Sequence, residues 1–508
     1  MTERKMDMNE EMIRPEEASR SEELSELLQI RRDKLRALQE DGRDPFRVTR
    51  FQQSHDSAGI KARFEELEGK TAALAGRMMS KRDMGKAFFC DLQDNTGRIQ
   101  LYLKADDLGE SGFAEFKKWD IGDILGVEGV VFRTKRGEIS LHCSAVTLLS
   151  KSLRPLPEKF HGLTDAETRY RQRYVDLIVN PDVKDTFLKR SRTLSAIREF
   201  MTGEGFLEVD TPVLHTLETG AAARPFETHL NVLDMHIYLR IELELYLKRL
   251  IVGGMDRVFE IGRIFRNEGM SPKHNPEFTM CEFYQAYTDY RGMMDIIERL
   301  FAFTAEQVTG STKLVYQGTE IDLTPPWRRM TMVEAVKTFA GVDYDAWADD
   351  ASARAVVRGM DLPCEDYHTK GDCLATLFDE KCEEFLVQPT IIMDYPVEVS
   401  PLAKRTAYHP LFTERFEFFI CCREGGNAFT ELNDPVDQRE RFTAQLARRR
   451  AEGVEASLDE DFLRAMEYGM PPTGGLGFGV DRLVMLLTDS ASIRDVLLFP
   501  TMKPEKRE

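Results

Sequence analysis

The chain has 508 residues, of which 42% are hydrophobic and 31% charged, and its formal net charge is −18 at pH 7. This length predicts two or three domains with sizeable cores, and the charge argues against bulk, non-specific nucleic-acid binding. No apolar run approaches the length of a membrane span, and the polar N-terminus lacks a signal region. We therefore expect a cytoplasmic protein that does not associate with membranes. None of the eight cysteines form a CxxC pair, which favours reduced thiols over a zinc site.

The N-terminal segment, residues 1–65, is predicted to be a tail followed by an amphipathic helix. Leucines in SEELSELLQIRRDKLRALQEDG recur at helical spacing. The same stretch carries Arg31, Arg32, Lys34 and Arg36. One interpretation is a helix that packs on the next domain, and the other is a helix that lies on RNA.

Residues 66–150 alternate apolar and polar side chains in short runs separated by turn signals at Asn95–Gly97 and Lys135–Gly137. About five short strands predict a small closed β-barrel of the OB type. Between Gly76 and Lys104 there are six Lys or Arg against three Asp, with aromatic residues interleaved. That composition is typical of surfaces that bind single-stranded nucleic acid, although a plain barrel core would also explain the aromatic residues.

A proline-containing linker is predicted for residues 151–169, and residues 170–508 show the mixed helix and strand pattern of one larger domain. Within that domain, residues from about 325 to 395 contain helical patches such as CLATLFDEKCEEFL. This stretch is predicted to be a helical insertion.

The stretch FEIGRIFRNEGMSPKHNPEFTMCEFYQAY, residues 259–287, predicts a hairpin with chemistry on one face. If both ends are strands, Glu260 and Arg266 share a face of the first, and Phe278, Glu282 and Tyr284 share a face of the second. An arginine fork suits phosphate or carboxylate, an aromatic ring suits stacking on a base, and Glu beside Tyr suits an ammonium group. The alternative is a solvated hairpin with a paired Arg and Glu.

A second cluster lies in RFEFFICCREGGNAFTELNDP, residues 415–435, where Gly425–Gly426 predicts a turn. Period two then brings Asn427, Phe429 and Glu431 to one face of the following strand. With Glu417 and Glu424 nearby, the carboxylates would repel one another unless a cation is bound. A magnesium ion with a nucleotide fits this pattern, and an acidic surface hairpin is the alternative.

The third cluster, PPTGGLGFGVDRLVMLL, is a glycine-rich strand that would let a ligand approach the backbone closely, followed by a helix that opens with Asp481–Arg482. It matches neither the Walker loop nor the dinucleotide-binding fingerprint.

Taken in order, these pieces resemble the three motifs of class II aminoacyl-tRNA synthetases. FLEVDTPVL (206–214) resembles motif 1, FRNE (265–268) with its loop and following strand resembles motif 2, and GLGFGVDRLVMLL (475–487) resembles motif 3. The barrel that precedes the catalytic domain limits this resemblance to the group of class II synthetases specific for aspartate, asparagine and lysine. Within it, RNEGMSPKHNPEFTM and GNAFTELNDP are similar to the lysine-specific members. The resemblance implies an α+β fold: an antiparallel-sheet catalytic domain preceded by a five-stranded OB-type barrel that binds the anticodon.

The resemblance also implies a reaction and a set of site residues. Lysine would be activated with ATP and Mg²⁺ and transferred to the 3′ end of lysine tRNA, in a homodimer formed through motif 1. Arg266 and Arg482 would be catalytic, with Arg266 on the α-phosphate and the lysine carboxylate, and Arg482 and Phe278 enclosing the adenine. ATP would contact Arg266, Glu268, His274, Phe278, Glu417, Glu424 and Arg482. Magnesium would bind Glu417 and Glu424. The lysine substrate would contact Gly220, Glu244, Glu282, Tyr284, Asn427, Phe429, Glu431 and Gly477. The anticodon would contact Arg82, Phe89, Gln100 and Glu138.

Three positions depart from the family's usual pattern. The family usually reads Arg-Ile-Ala-Pro-Glu where this chain has RIELE, so that Glu242–Leu243 replaces Ala-Pro. Thr219 stands where a second glycine is common, and Cys421–Cys422 replaces a usual glycine pair. The alternatives are aspartate- or asparagine-specific charging, a non-enzymatic paralogue that binds RNA or senses an amino acid, and a ligase that attaches lysine to a protein.

Overall fold

The computed structural model describes residues 15–157, 163–217, 223–451 and 458–505. The chain divides into two units, one ending at Gly162 and the other starting at Leu163. Among the described helices, none combines the length and apolar character needed to cross a membrane. The candidate residue Gly220 and the departure at Thr219 lie outside the described residues.

The first unit is built around a closed five-stranded barrel with the strand order β1-β2-β3-β5-β4, as predicted for an OB-type domain. Its strands are β1 Thr71–Asp83, β2 Ala87–Gln93, β3 Arg98–Lys104, β4 Ile124–Arg133 and β5 Ile139–Ser150. Its helices are α1 Pro15–Glu40, α2 Ser57–Ala62, α3 Phe64–Leu67 and α4 Ala105–Lys118. Strict alternation along β3 buries Ile99, Leu101 and Leu103 in the barrel and turns Gln100 and Tyr102 outward.

Helix α1 is attached to the barrel unit through basic side chains that the sequence analysis considered as RNA contacts. Arg31 is buried, and its guanidinium donates hydrogen bonds to the backbone oxygens of Ser152 (3.0 Å), Arg154 (3.0 Å) and Ile121 (3.1 Å). Lys34 pairs with Asp120 at 2.6 Å. Arg31 and Lys34 therefore hold the helix in place, which favours the packing interpretation.

The second unit contains an eight-stranded sheet with the order β14-β15-β16-β17-β18-β11-β10-β6. The pairs β10–β6 and β14–β15 are parallel, and the other neighbours are antiparallel. The strands of the unit are β6 Leu207–Glu208, β7 Leu214–His215, β8 Glu227–Leu230, β9 Met235–Leu239, β10 Arg257–Phe265, β11 Glu277–Ala286, β12 Lys313–Tyr316, β13 Thr319–Asp322, β14 Arg328–Thr331, β15 Thr390–Pro396, β16 Phe412–Phe419, β17 Glu424–Thr430 and β18 Thr473–Gly479.

Helices cover the two faces of this sheet unequally. The described α-helices are α5 Ala166–Arg171, α6 Arg173–Val179, α7 Pro181–Gly203, α8 Glu244–Val252, α9 Tyr290–Thr309, α10 Met332–Ala335, α11 Asp350–Gly359, α12 Lys370–Lys381, α13 Pro435–Ala451, α14 Glu460–Glu467 and α15 Val480–Leu487. Apolar side chains of α7, α9 and α15 form one core with the sheet. Helix α8 packs on β10 and β11 in a separate cluster that includes Val258 and Tyr284. Because Tyr284 points away from the main core, one face of the central strands is left for a cleft beside α8.

The residues predicted as an insertion contribute partly to the sheet, since β14 and most of β15 lie among them. Between these strands, helices α10, α11 and α12 enclose a separate hydrophobic core that includes Trp347 and Phe378. The segment therefore carries its own buried cluster and returns to the sheet edge.

The turn predicted at Gly425–Gly426 is wrong. Both glycines lie in β17, and the β16–β17 turn is made by Cys421 and Cys422, which have left-handed φ values of 55° and 57°. A Cβ on Gly425 would lie 2.1 Å from a ring carbon of Phe418, so the glycines serve close packing instead of a turn. Non-glycine residues in the left-handed region cost about 1–3 kcal/mol each, which explains why a glycine pair would suit the positions of the two cysteines.

We expect Arg31→Ala to lower the free energy of unfolding of the barrel unit by about 2 kcal/mol, because three carbonyl groups lose a charged donor that is itself buried. Chemical denaturation followed by circular dichroism measures the change. Arg36→Ala, at a position whose side chain is 66% exposed, is the matched control. Equal losses in the two variants would contradict the anchoring role of Arg31.

Candidate active site

A cavity of about 960 Å³ lies on the open face of the sheet in the second unit. Twelve of the predicted site residues line it: Glu244, Arg266, Glu268, His274, Phe278, Glu282, Tyr284, Glu424, Asn427, Phe429, Gly477 and Arg482. Glu431 is fully buried behind the cavity wall, and Glu417 lies one strand farther out on β16. The structure thus brings together residues that are more than 200 positions apart in the chain.

Strand register explains why these side chains meet. Glu282 on β11 is paired with Gly477 on β18, and Gly477 is paired in turn with Asn427 on β17. Tyr284 is paired with Gly475 in the same way. Since partners in register point to the same face, the predicted period-two faces form one continuous surface.

The glycines of β18 make space for the larger side chains of the neighbouring strands. A Cβ on Gly475 would lie 2.1 Å from Glu431 Oε1 and 2.4 Å from Tyr284 Cε1. Any side chain at this position would therefore displace the carboxylate or the phenol. The glycine-rich strand is a spatial requirement of the site.

One end of the cleft is suited to a nucleotide. The guanidinium of Arg266 lies 5.3 Å from the ring centre of Phe278, and its buried Nε has no hydrogen-bond partner within the described part of the chain. The Arg482 guanidinium donates to the backbone oxygen of Glu424. Two arginines and a half-buried aromatic ring that lines the cavity match the needs of phosphate groups and a base. Burial, followed by the charges of Arg482 and Lys273, lowers the pKa of His274.

The other end of the cleft is acidic. The Glu282 carboxylate accepts hydrogen bonds from the Tyr284 hydroxyl (3.2 Å) and the Leu243 backbone N–H (3.4 Å). Burial, with the nearby Glu244 charge, raises the pKa of Glu282 to about 8. A buried carboxyl group of this kind binds a proton unless a cation approaches. The arrangement therefore favours an ammonium ligand.

Lys248 is a buried charged residue beside the cleft that the sequence analysis did not single out. Its ammonium group is fully buried, contacts Glu244 and Glu431, and lies 5.7 Å from the Phe429 ring centre. Burial alone would lower the pKa of Lys248, but the two carboxylates raise it above its ordinary value. Burial also raises the pKa of Glu431 against the effect of Lys248. The raised pKa of Lys248 favours a charged ammonium group, whereas the raised pKa of Glu431 favours a neutral carboxyl group. Because the Lys248 Nζ contacts both carboxylates, the three side chains form an ionised cluster. The i,i+4 spacing of Glu244 and Lys248 on a helix was the available sequence signal.

Glu417 and Glu424, the two carboxylates predicted to bind magnesium, lie on the neighbouring strands β16 and β17. Glu417 accepts hydrogen bonds from Arg415 Nη2 (2.6 Å) and from the Tyr395 hydroxyl (3.0 Å). Burial is the main cause that raises the pKa of Glu417 to about 7, with Glu424 adding to it and Arg415 opposing it. No group of three metal-ligating side chains occurs among the described residues. Magnesium often binds through one or two carboxylates plus substrate phosphates, so Glu417 and Glu424 fit such an ion.

The barrel unit carries a separate candidate surface for nucleic acid. Arg82 is paired with Phe89 across β1 and β2, and the Phe89 ring lies 5.0 Å from that of Tyr102. Gln100 accepts a hydrogen bond from Ser140 at 3.2 Å, and Glu138 is 3.9 Å from Lys61. Three of the residues predicted to bind an anticodon thus lie on the outer side of strands β1, β2 and β3. The fourth, Glu138, directly precedes β5. Two aromatic residues that were not predicted extend this surface: Phe132 and His142, which lie 6.1 and 5.1 Å from the Tyr102 ring.

Comparisons with known families agree with this geometry. Residues 165–503 match the family of class II tRNA synthetases specific for D, K and N, and residues 72–149 match the OB-fold nucleic-acid-binding domain. The chain belongs to the class II tRNA synthetases of this group.

Individual proteins of this group are similar to the chain over nearly its whole length. A protein of Thermoanaerobacter sp. (strain X514) named "Lysine--tRNA ligase" is 59% identical over 486 residues, which cover 96% of this chain and 97% of the relative. Proteins of the same name from Clostridium perfringens and Moorella thermoacetica are each 56% identical. The alignments cover 98% and 95% of this chain, and 100% and 99% of the respective relatives.

The raised carboxyl pKa values predict a stability that depends on pH. Because the folded state binds protons at Glu282 up to about pH 8 and the unfolded state releases them near pH 4.5, stability falls as pH rises through this window. We expect a loss on the order of 3 kcal/mol between pH 5 and 8.5, measured by urea denaturation. Glu282→Gln should reduce the loss, whereas Glu320→Gln on exposed strand β13 should not. A flat profile in the unmodified protein would contradict the buried acidic network.

Proposed function

We propose that the protein activates L-lysine with ATP to lysyl-adenylate and transfers the lysyl group to the 3′ end of its cognate tRNA. The observation that carries this proposal is the single cleft with Arg266 and Phe278 at one end and buried glutamates at the other. The names of relatives that align over nearly the whole chain support the choice of lysine.

Activation requires positioning more than acid–base chemistry, since the attacking carboxylate is already ionised. Arg266 binds the substrate carboxylate and the α-phosphate, and so holds the two reacting groups together. Arg482 and Phe278 enclose the adenine, with Glu268 and His274 at the exposed rim of the cleft. As charge builds up at the pentavalent phosphorus, the Arg266 guanidinium stabilises it.

Glu417 and Glu424 are proposed to bind Mg²⁺ with the ATP phosphates. Bound there, the ion would neutralise phosphate charge. The residues themselves provide two oxygen donors on adjacent antiparallel strands, and Arg415 and Tyr395 fix the orientation of the Glu417 carboxylate.

Recognition of lysine follows from the cost of leaving buried carboxylates without a cation. Glu282, with Tyr284, is proposed to bind the ε-ammonium group, and Glu244 and Gly220 the α-ammonium group. Glu431, which contacts Lys248 through Oε2 and lies beside Gly475 at Oε1, is proposed to contribute negative charge at the ε-ammonium end of the pocket. Asn427, Phe429 and Gly477 complete the pocket. An uncharged amino acid would leave these groups unpaired, which can cost a factor of about 10⁴–10⁵ in specificity.

The barrel surface is proposed to bind the anticodon of the tRNA. Phe89 and Tyr102 offer ring faces to bases, and Arg82, Gln100 and Glu138 offer hydrogen-bonding groups to base edges. A tRNA substrate also supports the proposal of a cytoplasmic location.

A homodimer is proposed through the region that resembles motif 1. Apolar side chains are exposed there and in the turn between strands β8 and β9 of the three-stranded sheet β7-β9-β8. The exposed fractions are 54% for Leu207, 48% for Leu214, 83% for Val232 and 61% for Leu233. Clustered exposed apolar side chains of this kind mark interaction surfaces.

The alternative specificities are less well supported. A pocket for aspartate or asparagine would need cationic or neutral donors where Glu282 and Glu431 are buried. A paralogue without enzymatic activity would not need Arg266, Arg482, Glu417 and Glu424 together around one cleft.

The first experiment is pyrophosphate exchange into ATP with the purified protein, Mg²⁺ and each of the twenty amino acids in turn. We expect exchange with lysine alone. Glu282→Gln should raise the lysine KM by at least about 10-fold, because a charged partner of the ammonium group is lost. Exchange with another amino acid, or none from folded protein, would overturn the proposal.

The tRNA contact has its own test. We expect Phe89→Ala to raise the tRNA KM in aminoacylation by about 10-fold, because stacking on one base contributes about 1–3 kcal/mol. Pyrophosphate exchange should remain unchanged, since it does not involve tRNA. Phe46→Ala, at an exposed aromatic position before the barrel strands, is the control. Loss of exchange in Phe89→Ala would contradict a role confined to tRNA.

A further inference from the structure

The acidic end of the cleft contains one carboxyl group that the proposed lysine contacts do not use. Glu242 lies in the segment between β9 and α8, is only 5% exposed, and lines the cavity together with Glu244 and Glu282. It is also the residue at which this chain departs from the alanine usual in the family. Its carboxyl group therefore belongs to the amino acid pocket by position.

The Glu242 side chain also makes a local hydrogen bond at the start of α8. Its Oε2 accepts a hydrogen bond from the Leu245 backbone N–H at 3.2 Å, near the N-terminus of α8. A neutral amide or hydroxyl side chain could accept this bond equally well. Helix capping therefore does not explain why a carboxyl group is buried beside two other carboxyl groups.

Charge in the pocket is unbalanced without a ligand. The titratable and charged groups around Glu242 come from three elements: Glu244 and Lys248 from α8, Glu282 and Tyr284 from β11, and Glu431 after β17. Across the described part of the pocket, Lys248 is the cation in contact with these acids, and it is shared by Glu244 and Glu431. Burial, followed by the charges of Glu282 and Glu244, raises the pKa of Glu242 well above its ordinary value.

A lysine substrate would bring two ammonium groups into this environment. Glu282 and Glu244 are the proposed partners of these groups, and Glu242 lies beside both. We propose that Glu242 is a further specificity residue, whose carboxyl group holds a proton in the empty pocket and releases it when the ammonium groups of lysine bind. In this step the carboxyl O–H bond breaks, the proton passes to water in the cleft, and the carboxylate that remains faces the bound cations.

This inference rests on the proposed lysine activity and adds a linkage between binding and protons. A carboxylate at Glu242 attracts the two ammonium groups of lysine more strongly than a neutral carboxyl group does. This carboxylate forms only when the proton can leave. Lysine affinity should therefore increase with pH more steeply than it would without Glu242.

The test uses isothermal titration of lysine into the unmodified protein and into Glu242→Gln, at pH 7 in two buffers of different ionisation enthalpy. Glutamine keeps an acceptor for the Leu245 N–H but cannot ionise. We expect Glu242→Gln to release about one proton fewer per bound lysine. In pyrophosphate exchange, its lysine KM should match that of the unmodified protein at pH 6 and be about 10-fold higher at pH 8.5.

Two further variants separate the inference from a purely structural role. Glu242→Ala, which restores the residue usual in the family, should reproduce the pH profile of Glu242→Gln. Asp289→Asn also removes a charge from a helix N-terminus, because Asp289 accepts bonds from the Arg291 and Gly292 N–H groups at the start of α9. It should leave proton release and the pH profile unchanged.

Equal proton release and parallel KM profiles in the unmodified protein and both Glu242 variants would overturn the inference while leaving lysine activation intact. A loss of kcat that is constant across pH, with a lowered unfolding midpoint, would also overturn it in favour of helix capping. Absence of lysine binding and exchange in the unmodified protein would instead overturn the proposed function itself.

Discussion

Burial of several carboxyl groups against one face of a β-sheet is the constraint on which the rest of the site depends. Removing a carboxylate from water costs several kcal/mol unless a cation or a proton accompanies it. Within the described part of the pocket, the buried Lys248 is the cation that contacts Glu244 and Glu431. Glu282 accepts its described hydrogen bonds from two neutral donors, the Tyr284 hydroxyl and the Leu243 N–H. Lys248 thus neutralises part of the negative charge of the pocket. A cationic ligand can neutralise the rest.

The sheet positions this chemistry because strands β11 and β17 contribute side chains, whereas strand β18 between them contributes almost none. Glycines on β18 separate the Glu282 and Tyr284 side chains of β11 from the Asn427 and Phe429 side chains of β17. The cavity exists because these backbone positions lack a Cβ. Helices α7, α9 and α15 support the opposite face, so the floor of the cleft is a packed layer that resists collapse.

Much of this arrangement could be predicted from sequence, because strand period alone assigns residues to faces. The alternation in residues 259–287 correctly grouped Phe278, Glu282 and Tyr284, and the barrel followed from short alternating runs and turn signals. The glycine pair at 425–426 misled the turn prediction, since glycine also marks close packing, here against Phe418. Lys248 was missed because its contact with Glu431 depends on how α8 is placed against the sheet, which the i,i+4 spacing with Glu244 does not encode. The anchoring of Arg31 was equally a matter of tertiary contact.

The internal ammonium group of Lys248 also has an evolutionary consequence. If the pocket were to drift toward a neutral amino acid, replacing Glu431 alone would leave Lys248 with less compensation, and replacing Lys248 alone would leave two buried carboxylates facing each other. Removing one partner of a buried ion pair typically costs about 3–5 kcal/mol. Intermediate sequences would therefore be unstable before they acquired a new preference, so this specificity can be exchanged only through concerted changes at several positions.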